Sequence, residues 1–502
     1  MTIALTRIEV ALVSRRPEGG LSGEYSVATD VSEERVRQMV EEVVQRVVGA
    51  GIVASAPVAR RGAGSAGLFR TADEAVAAAV RAQKELIQRS LEERRAIIET
   101  IRQTTRDHAG EMSRMTLEET GMGRYDDKVR KHFLAADLTP GVEDLQTASW
   151  TGDHGLTVEE MAPYGVICAV TPSTHPVPTL VNNAISMIAS GNVPVFNPHP
   201  SAKGISGYAV QLLNNAITDA GGPDNLITAI EDPTIESADQ LFNHAGVQVI
   251  LVTGGAVVAR AAMASPKKAI VAGPGNPPVV VDETADVEKA ARDIVDGAAF
   301  DNNILCIGEK QVFVVESVAN ELKSHMVRYS AYELDSGQIE QLTQVAFSEE
   351  GGHHQVNREL VGRNAAVLAE RIGLQLDDEL RLLIGETEAG HPFVTVEQMM
   401  PFVPIVRVPN VDQAIREAIE SEHGYRHTAV IHSRNIENMH NMARAADTTI
   451  FVKNGPSYAG LGVGGEGCST FSIAGPTGEG ITTTRTFTRR RRCSLIDYFR
   501  IT

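Results

Sequence analysis

One cysteine of this sequence stands in a setting where it could do chemistry. Cys306 lies between a polar lead-in, Asp301-Asn302-Asn303, and an apolar run over residues 311–315 that is typical of a short β-strand. A thiolate is the strongest nucleophile that a side chain offers near neutral pH. Taken by itself, the pattern leaves two interpretations open: a structural thiol buried in the core, or a nucleophile carried on a loop.

The other cysteines have no comparable setting. Cys168 lies in an apolar run over residues 165–170 and is expected to pack in the core, whereas Cys468 follows a glycine-rich turn and Cys493 follows four arginines. Their spacing predicts neither a disulfide framework nor a zinc site, because the sequence has no Cys-x-x-Cys motif and no Cys/His cluster. The pair His353-His354 is expected in a glycine-rich loop and not in a metal site.

Length, composition and charge bound the class of protein. A chain of 502 residues can form two or three domains, and its 43% hydrophobic and 22% charged residues are ordinary for a soluble globular protein. The net charge of -18 argues against nucleic-acid binding, which needs a basic surface. The apolar segment at residues 8–13 is too short for a signal or membrane helix, so we expect a cytoplasmic protein without a membrane partner. The basic run at residues 489–492 is expected to be a solvated or interface strand.

An amphipathic helix is predicted over residues 31–49, ahead of the main domain. Residues 1–30 are expected to be a flexible extension, and residues 50–67, rich in Ala, Gly, Ser and Val, a linker. The helix would carry one apolar stripe, with the residues spaced by three and four positions: Val36, Met39, Val40, Val43, Val44, Val47 and Val48. Two interpretations remain open, a tethered recognition helix or a helix packed on its own domain.

From residue 164 onwards, short apolar strands alternate with helical segments. This order predicts an α/β fold with a doubly wound parallel sheet, in which ligands bind at the loops after the carboxyl ends of the strands. Those loops begin at Thr171, Asn197 and Thr253. The turn Gly254-Gly255 does not match the GxGxxG pattern, and the glycine-rich stretch 454–467 lacks the lysine of a P-loop. A second α/β unit begins near residue 279 and delivers Cys306 after a helix at 285–300.

A nucleophilic cysteine beside a dinucleotide-binding fold suggests aldehyde oxidation. The thiol would add to the aldehyde as a thiohemiacetal, hydride would leave to NAD, and an acyl thioester would remain on Cys306.

The chain resembles the aldehyde dehydrogenase superfamily, and closely the CoA-acylating propionaldehyde and acetaldehyde dehydrogenases of bacterial microcompartments. The likeness spans roughly residues 68–502. It is carried by motifs in this order: Thr120-Gly-Met-Gly123, Thr139-Pro-Gly-Val-Glu-Asp144, Thr171-Pro-Ser-Thr-His-Pro176, Asn197-Pro-His-Pro200, Gly275-Asn-Pro-Pro278, Val281-Asp-Glu-Thr-Ala-Asp286, residues 300–310, residues 451–460 and Arg491-Arg-Cys493.

The resemblance implies a domain plan and an assembly. The cofactor-binding domain would comprise residues 68–144 and 162–275, and the catalytic domain residues 276–470. Residues 145–161 and 480–502 would form a small β oligomerisation element, giving a homodimer or homotetramer. Such an enzyme would work in the lumen of a microcompartment, with residues 31–49 binding shell proteins.

The resemblance also assigns site residues. Cys306 would be the nucleophile, and Thr174 would donate to the oxyanion where hydrolytic members carry an asparagine. The cofactor-binding set would be Thr171, Pro172, Ser173, Asn197, His199, Gly254, Gly255, Val258, Gly273 and Phe402, with no metal. Asn197 stands where an adenosine-side lysine is usual, which favours NAD over NADP.

Two positions depart from the hydrolytic members of the superfamily. Ala272 stands where those enzymes carry the glutamate that activates water, and Met400 replaces a glutamate that often holds the nicotinamide ribose. Without that general base water is a poor acyl acceptor, so the acyl group is expected to pass to CoA. Two rivals remain open: a hydrolytic dehydrogenase that releases a free acid, and a catalytically silent structural component of a microcompartment.

Overall fold

The computed structural model describes residues 65–350 and 353–501 of the chain. The predicted extension at 1–30, the helix at 31–49 and the linker up to residue 64 lie outside these residues. The described part combines two parallel sheets with flanking helices, which confirms the predicted α/β, doubly wound fold class. Within it, no helix is both long and apolar enough to cross a membrane.

The strands of the described part are numbered in chain order. They are β1 (Leu68–Phe69), β2 (Ala148–Gly152), β3 (Gly155–Pro163), β4 (Val166–Thr171), β5 (Val193–Pro198), β6 (Thr228–Ile230), β7 (Val247–Thr253), β8 (Lys268–Ala272), β9 (Pro278–Val281), β10 (Gln311–Val315), β11 (Ala331–Glu333), β12 (Phe347–Glu350), β13 (His353–Val356), β14 (Leu382–Glu386), β15 (Phe402–Val408), β16 (Thr428–His432), β17 (Ile450–Lys453), β18 (Ile473–Ala474), β19 (Gly480–Ile481) and β20 (Thr488–Ile496).

The helices follow the same convention. They are α1 (Ala72–Leu86), α2 (Leu91–Asp107), α3 (Ala109–Thr120), α4 (Tyr125–Asp137), α5 (Pro176–Ala189), α6 (Lys203–Asp219), α7 (Ile235–Asn243), α8 (Ala256–Ala264), α9 (Val287–Ala299), α10 (Glu316–Arg328), α11 (Ser336–Ala346), α12 (Ala365–Glu370), α13 (Pro392–Thr395), α14 (Val411–Ser421) and α15 (Ile436–Ala446).

The first sheet has six parallel strands in the order β1-β6-β5-β4-β7-β8. All residues of β4, at its centre, are buried. A parallel strand covered by helices on both faces carries apolar side chains throughout, which is why the run around Cys168 has no alternation of polar and apolar residues. The carboxyl ends of β5, β4 and β7 lie side by side, so the loops that follow them share one edge of the sheet.

The second sheet has seven parallel strands in the order β11-β14-β15-β10-β9-β16-β17. Helix α9 precedes the Cys306 segment, and β10 follows it. The side chain of Asp286 caps α9 by accepting a hydrogen bond from the backbone N–H of Lys289. The nucleophile loop is therefore held between a capped helix and a fully buried strand of this sheet.

A third, antiparallel sheet joins β2, β3 and β20. Strand β20 pairs with β3 from Thr488 opposite Pro163 to Ile496 opposite Gly155. Strands β2 and β3 pair as an antiparallel hairpin between residues 148 and 163, over most of the first segment assigned to the oligomerisation element. In the second segment, 480–502, a 3₁₀ turn at Thr484–Phe487 with a capping box at its start precedes the long strand, which begins at Thr488 and contains the basic run 489–492.

Two local predictions were incomplete or wrong. Helix α4 was not predicted, because its buried face carries Asp127, Lys128, Lys131 and His132 in place of an apolar stripe. The His353-His354 pair does not lie in a loop. It begins β13, which pairs antiparallel with β12. The glycines beside it in the sequence had favoured the prediction of a loop.

Candidate active site

Three consecutive residues before the nucleophile adopt the left-handed conformation. Asp301, Asn302 and Asn303 have φ values of 49°, 55° and 65°, and all three are fully buried. Asn and Asp tolerate this region better than other non-glycine residues, but three in succession persist only when their surroundings fix them. The Asp-Asn-Asn pattern that marked the sequence is therefore a conformational requirement of the loop.

A buried ion cluster fixes the first of these residues. The Asp301 carboxylate accepts hydrogen bonds from Lys131 Nζ at 2.7 Å, from Lys128 Nζ at 3.2 Å and from the backbone N–H of Arg124 at 2.7 Å. Burial opposes ionisation of this carboxyl, but the charges of Lys131 and Lys128 outweigh it and hold its pKa below the usual value. Helix α4, which carries both lysines, is thereby tied to the nucleophile loop.

The next two residues are fixed by their own amides and by one lysine. Asn302 Nδ2 donates to the carbonyl of Gly362 at 2.9 Å, and Asn303 Nδ2 donates to the carbonyls of Ala298 and Glu309 at 2.8 and 2.9 Å. The ammonium group of Lys310, which is fully buried, donates to Asn303 Oδ1 and to the carbonyls of Asn303 and Leu305, at 2.8 and 3.3 Å for the carbonyls. The carbonyls of Asn303 and Leu305 thus share one buried ammonium group as their donor.

Cys306 follows this fixed segment and keeps part of its surface exposed, in contrast to the fully buried Cys168. Burial, assisted by the nearby carboxylate of Glu397, raises the pKa of the Cys306 thiol to about 12, although the charges of Lys310 and Lys131 oppose the rise. The thiol is consequently protonated near neutral pH. A proton acceptor is needed when it attacks.

Gly275 packs against the backbone of Cys306 and the ring of His427. A Cβ atom at Gly275 would lie 2.7 Å from the carbonyl oxygen of Cys306 and 2.9 Å from Cγ of His427. Real Cβ atoms essentially never come so close to backbone atoms, so only glycine fits at this position. The backbone N–H of Gly275 donates to Glu397 Oε1 at 3.4 Å. Cys306, His427 and Glu397 therefore surround one glycine.

His427 and Glu397 were not identified in the sequence. His427 is 1% exposed, its Nδ1 is 2.9 Å from Thr428 Oγ1, and its Nε2 has no hydrogen-bond partner among the described residues. Burial, assisted by the charge of Lys310, lowers the pKa of His427 to about 4, so the ring is neutral near pH 7. Burial raises the pKa of Glu397, and Lys310 opposes this rise. Neither residue belongs to a local motif, and each comes to the site from a distant element.

Thr174, the predicted oxyanion donor, lies in the loop after β4 and is partly exposed. Its Oγ1 is 3.0 Å from Nδ1 of His175, whose ring packs against Phe471 with the centroids 5.6 Å apart. Burial, together with the charges of Lys131 and Lys128, holds the pKa of His175 well below 6.5. The ring is therefore neutral, and when its Nδ1 carries the proton the Thr174 hydroxyl is free to donate elsewhere.

Most of the predicted cofactor residues lie at or near neighbouring strand ends of the first sheet, whereas Phe402 begins β15 of the second sheet. Thr171 and Asn197 belong to the last two residues of β4 and β5, and Gly254 and Gly255 follow β7. Pro172, Ser173, Gly254, Val258 and Gly273 are partly exposed, and His199 and Gly255 are exposed. Thr171 Oγ1 is buried without a partner in the described part of the chain, which leaves it available to a ligand.

Two of the predicted cofactor-binding residues, Asn197 and Phe402, make contacts within the protein instead. Asn197 Nδ2 donates to the carbonyl of Thr234 at 3.2 Å, and Asn197 Oδ1 accepts from Ser237 Oγ at 2.6 Å, so its amide anchors the start of α7. Phe402 is fully buried and packs against Phe393 with the ring centroids 4.4 Å apart. The role of either residue in cofactor binding stays a prediction.

The two positions at which the sequence is expected to depart from hydrolytic members are occupied by apolar residues. Ala272 is the last residue of β8 and is 5% exposed, and Met400 is fully buried. Across residues 65–350 and 353–501, no group of three His, Cys, Asp or Glu side chains could hold a metal ion.

A dinucleotide-type parallel sheet beside a loop-borne cysteine defines an aldehyde-oxidising class of enzyme. The sequence model of the aldehyde dehydrogenase family matches residues 65–487, and the chain belongs to this family. It is 52% identical over 438 residues to the acetylating acetaldehyde dehydrogenase of Salmonella typhimurium, covering 87% of this chain and 93% of that protein.

Solved structures give the same relationship. A propionaldehyde dehydrogenase from the fucose utilisation microcompartment of Clostridium phytofermentans is 46% identical, with a TM-score of 0.85 over 87% of this chain and 100% of that one. A propionaldehyde dehydrogenase of Rhodopseudomonas palustris, solved with bound CoA and an acylated cysteine, is 45% identical, with a TM-score of 0.84 over 86% of this chain and 99% of that one. The resemblance found in the sequence is thereby confirmed.

Proposed function

We propose that this enzyme converts a short-chain aldehyde, CoA and NAD⁺ into an acyl-CoA and NADH. The observation that carries the proposal is the construction around Cys306: a partly exposed thiol on a loop that buried side chains hold in a fixed conformation. The relatives named for acetylating and propionaldehyde dehydrogenases support the same reaction. A structural component without activity would have no need of so many buried polar contacts beneath one thiol.

Cys306 forms the covalent intermediates of the reaction. Its sulfur attacks the aldehyde carbon, and the thiohemiacetal oxygen takes up negative charge beside the Thr174 hydroxyl and the backbone N–H of Cys306. NAD, bound at the loops that begin at Thr171, Asn197 and Thr253, supplies the acceptor for the hydride. An acyl thioester then remains on Cys306, and the thiol of CoA takes the acyl group and releases the cysteine.

CoA is favoured over water as the acyl acceptor because its thiol needs less help from a base. Ala272 presents only a methyl group where hydrolytic enzymes place a carboxylate. A thiol ionises far more readily than water and is the better nucleophile, so it has less need of a base at that position. The hydrolytic reaction, which yields a free acid, is therefore the weaker alternative.

The acyl acceptor is tested by omitting CoA. We expect NADH to form in a single burst equal to the enzyme present, and mass spectrometry to find the acyl group on Cys306. Steady formation of free acid at the rate of the CoA reaction would contradict the proposal. Cys306→Ala should abolish the burst, and Cys468→Ala, which removes another partly exposed thiol, serves as the matched control.

We further propose that the enzyme works inside a bacterial microcompartment as a homo-oligomer. The apolar stripe of residues 36–48 would bind a shell protein, and the similar enzyme from a microcompartment of Clostridium phytofermentans supports this location. Deleting residues 1–50, or combining Val40→Glu with Val44→Glu, should abolish shell association and leave aldehyde oxidation unchanged. A lowered melting temperature in these variants would instead mean that the helix packs on its own domain.

The three-stranded sheet supports the oligomer. Trp150, Leu495 and Ile496 on its strands are 52%, 42% and 61% exposed in the single chain, which is unusual for large apolar side chains. Their burial in a subunit contact should be lost in Leu495→Asp with Ile496→Asp, giving a smaller particle in light scattering. An unchanged particle mass would exclude this sheet as the contact.

A further inference from the structure

The backbone N–H of Cys306 is the donor closest to the place where negative charge develops in the proposed reaction. In the described part of the chain this N–H donates to no other residue. It favours the thiolate of its own side chain instead, and this effect lowers the pKa of the Cys306 thiol against the rise caused by burial. The N–H is therefore directed at the sulfur and is free to bind an oxyanion that forms beside it.

The peptide group that joins Leu305 to Cys306 is held from its carbonyl side. The carbonyl oxygen of Leu305 accepts a hydrogen bond from the backbone N–H of Gly308 at 2.9 Å and another from Lys310 Nζ at 3.3 Å. The described part of the chain contains no cis peptide bond, so the C=O and the N–H of this group point in opposite directions. The donors that fix the carbonyl of Leu305 therefore also fix the direction of the Cys306 N–H.

Lys310 holds a second peptide group two residues earlier. Among the described residues its ammonium group is the sole donor to the carbonyl of Asn303, at 2.8 Å, and to the side-chain oxygen of the same residue. Asn303 has a φ of 65°, a conformation that its surroundings must fix. The backbone N–H of Lys310 donates to the carbonyl of Pro277 at 3.0 Å, directly before β9. The lysine thus connects the nucleophile loop to the second sheet.

Lys310 also carries a charge at this position. It is fully buried, and burial lowers its pKa to about 8, although the carboxylates of Glu397 and Glu309 oppose the fall. Cys306 opposes it as well, while the charge of Lys131 adds to it. The group is therefore mostly protonated near neutral pH. A cation at the oxygen end of a peptide group draws electron density towards that oxygen and makes the N–H at the other end a stronger donor.

We propose that Lys310 is a positioning residue for the oxyanion, which it serves by aiming and polarising the N–H of Cys306, an inference that rests on the proposed function. When the Cys306 thiolate adds to the aldehyde, the carbonyl electron pair moves to oxygen and this N–H stabilises the charge; the pair returns as hydride leaves to NAD⁺. When the CoA thiolate adds to the acyl carbon, the same N–H stabilises the second oxyanion until the bond to Cys306 breaks and its thiolate is released.

Two reactions of the same sulfur test this role in Lys310→Met. Iodoacetamide alkylates Cys306 without forming an oxyanion, whereas the burst of NADH in the absence of CoA requires one. Loss of the nearby cation disfavours the thiolate, so alkylation at a given pH should slow by about tenfold at most. The burst should slow by about a further 10²-fold, because loss of one oxyanion donor typically costs about 10²–10³-fold. A loop that had only loosened would expose the sulfur and be alkylated faster.

Two further variants separate the hydrogen bond from the charge and from burial. Lys310→Gln keeps a neutral donor, so the ratio of burst rate to alkylation rate should recover in part while alkylation itself stays slow. Lys128→Met is the matched control, because it removes a buried lysine that the same loop holds through Asp301, at 3.2 Å, and that donates to no carbonyl of residues 303–306. Its ratio of burst rate to alkylation rate should equal that of the unaltered enzyme.

An inhibitor supplies a measurement that does not depend on hydride transfer. A trifluoromethyl ketone adds to the sulfur and forms an oxyanion, but it has no hydride to give. Its affinity should fall in Lys310→Met in proportion to the burst rate, as expected of a compound that resembles the transition state. A lysine that only orients the cofactor would leave this affinity unchanged.

Three outcomes would overturn the proposal: an unaltered ratio of burst rate to alkylation rate in Lys310→Met, faster alkylation in that variant, or an equal loss of the ratio in Lys128→Met. If Lys310→Met fails to fold, Lys310→Gln decides the question. Its neutral donor polarises the peptide group less than a cation does, so an unaltered ratio together with unaltered affinity for the ketone would refute the role. The proposed function fails separately, if the unaltered enzyme reduces no NAD⁺ with aldehyde and CoA.

Discussion

Replacing Asp301 by asparagine should cost more stability than any other change that keeps the size of a side chain near the nucleophile. The Asp301 carboxylate is fully buried and compensates two buried ammonium groups, those of Lys128 and Lys131. Asp301→Asn keeps the shape and leaves both cations without their counter-charge. Removing one partner of a buried pair costs about 3–5 kcal/mol, so the free energy of unfolding should fall by at least that amount.

The number of buried charges left unpaired predicts the order of stability among variants of this cluster. Lys131→Met leaves one ammonium group against one carboxylate, a balanced pair, and should cost less than Asp301→Asn. The double variant leaves Lys128 alone and should be more stable than Asp301→Asn, because one unpaired charge is buried where there were two. Denaturant unfolding of the four proteins measures this order.

A pH series separates charge from packing. Burial already lowers the pKa of Lys128, so in Asp301→Asn this group should lose its proton more easily as the pH rises. The stability deficit of Asp301→Asn should therefore shrink between about pH 7 and pH 10. The reasoning would be refuted by a deficit that is independent of pH, or by Lys131→Met being as destabilising as Asp301→Asn.

Three further predictions concern residues of the Cys306 loop or of the segments that pack against it. Gly275→Ala should abolish turnover and lower the melting temperature, because the added Cβ would meet the backbone of Cys306 at 2.7 Å and the ring of His427 at 2.9 Å. An active, stable variant would show that these neighbours can move to accommodate a methyl group. His427→Gln should lower kcat at unchanged melting temperature, because Nε2 is unpartnered in the described structure, and unchanged kinetics would exclude a role in the reaction. Burial raises the pKa of Glu309 to about 7, so the stability that its protonation provides is present below about pH 4 and lost as the pH rises to about 7. In Glu309→Gln, the free energy of unfolding measured with denaturant should no longer fall over this range. An equal dependence of that free energy on pH in both proteins would contradict the prediction.

The sequence could predict those features of the fold and site that depend on the residue types within a single segment. Strands buried on both faces are apolar throughout, so β4, β5 and β7 and the edge where their loops meet followed from the order of segments along the chain. The lead-in to Cys306 was also visible, because Asp and Asn are the residues that a left-handed turn tolerates.

The other side chains around Cys306 come from segments that are distant in sequence, so they could not be predicted in this way. His427 and Glu397 reach Cys306 only because β16 and the segment before β15 pack near Gly275, and no spacing in the sequence reports such a contact. Helix α4 escaped prediction for a related reason: Lys128 and Lys131 are buried through a partner that lies far along the chain. A periodicity argument assigns charged residues to the solvent, and here the ion cluster reverses that assignment.

The amide of Asn197 has a consequence for efforts to redesign cofactor preference. Because its oxygen and nitrogen both bind the turn at Thr234 and Ser237, a lysine placed there to attract a phosphate would release the start of α7. The loss would weaken the cofactor domain while it altered selectivity, so the two effects would be hard to separate. His199 is exposed, and its Nδ1 lies 2.7 Å from the hydroxyl of Ser201 and accepts a hydrogen bond from the backbone N–H of Ser201 at 3.2 Å. Exchanging this side chain would remove the cap of a three-residue 3₁₀ turn, Pro200–Ala202, and not that of a longer helix, so a positive charge should disturb the fold less here than at residue 197.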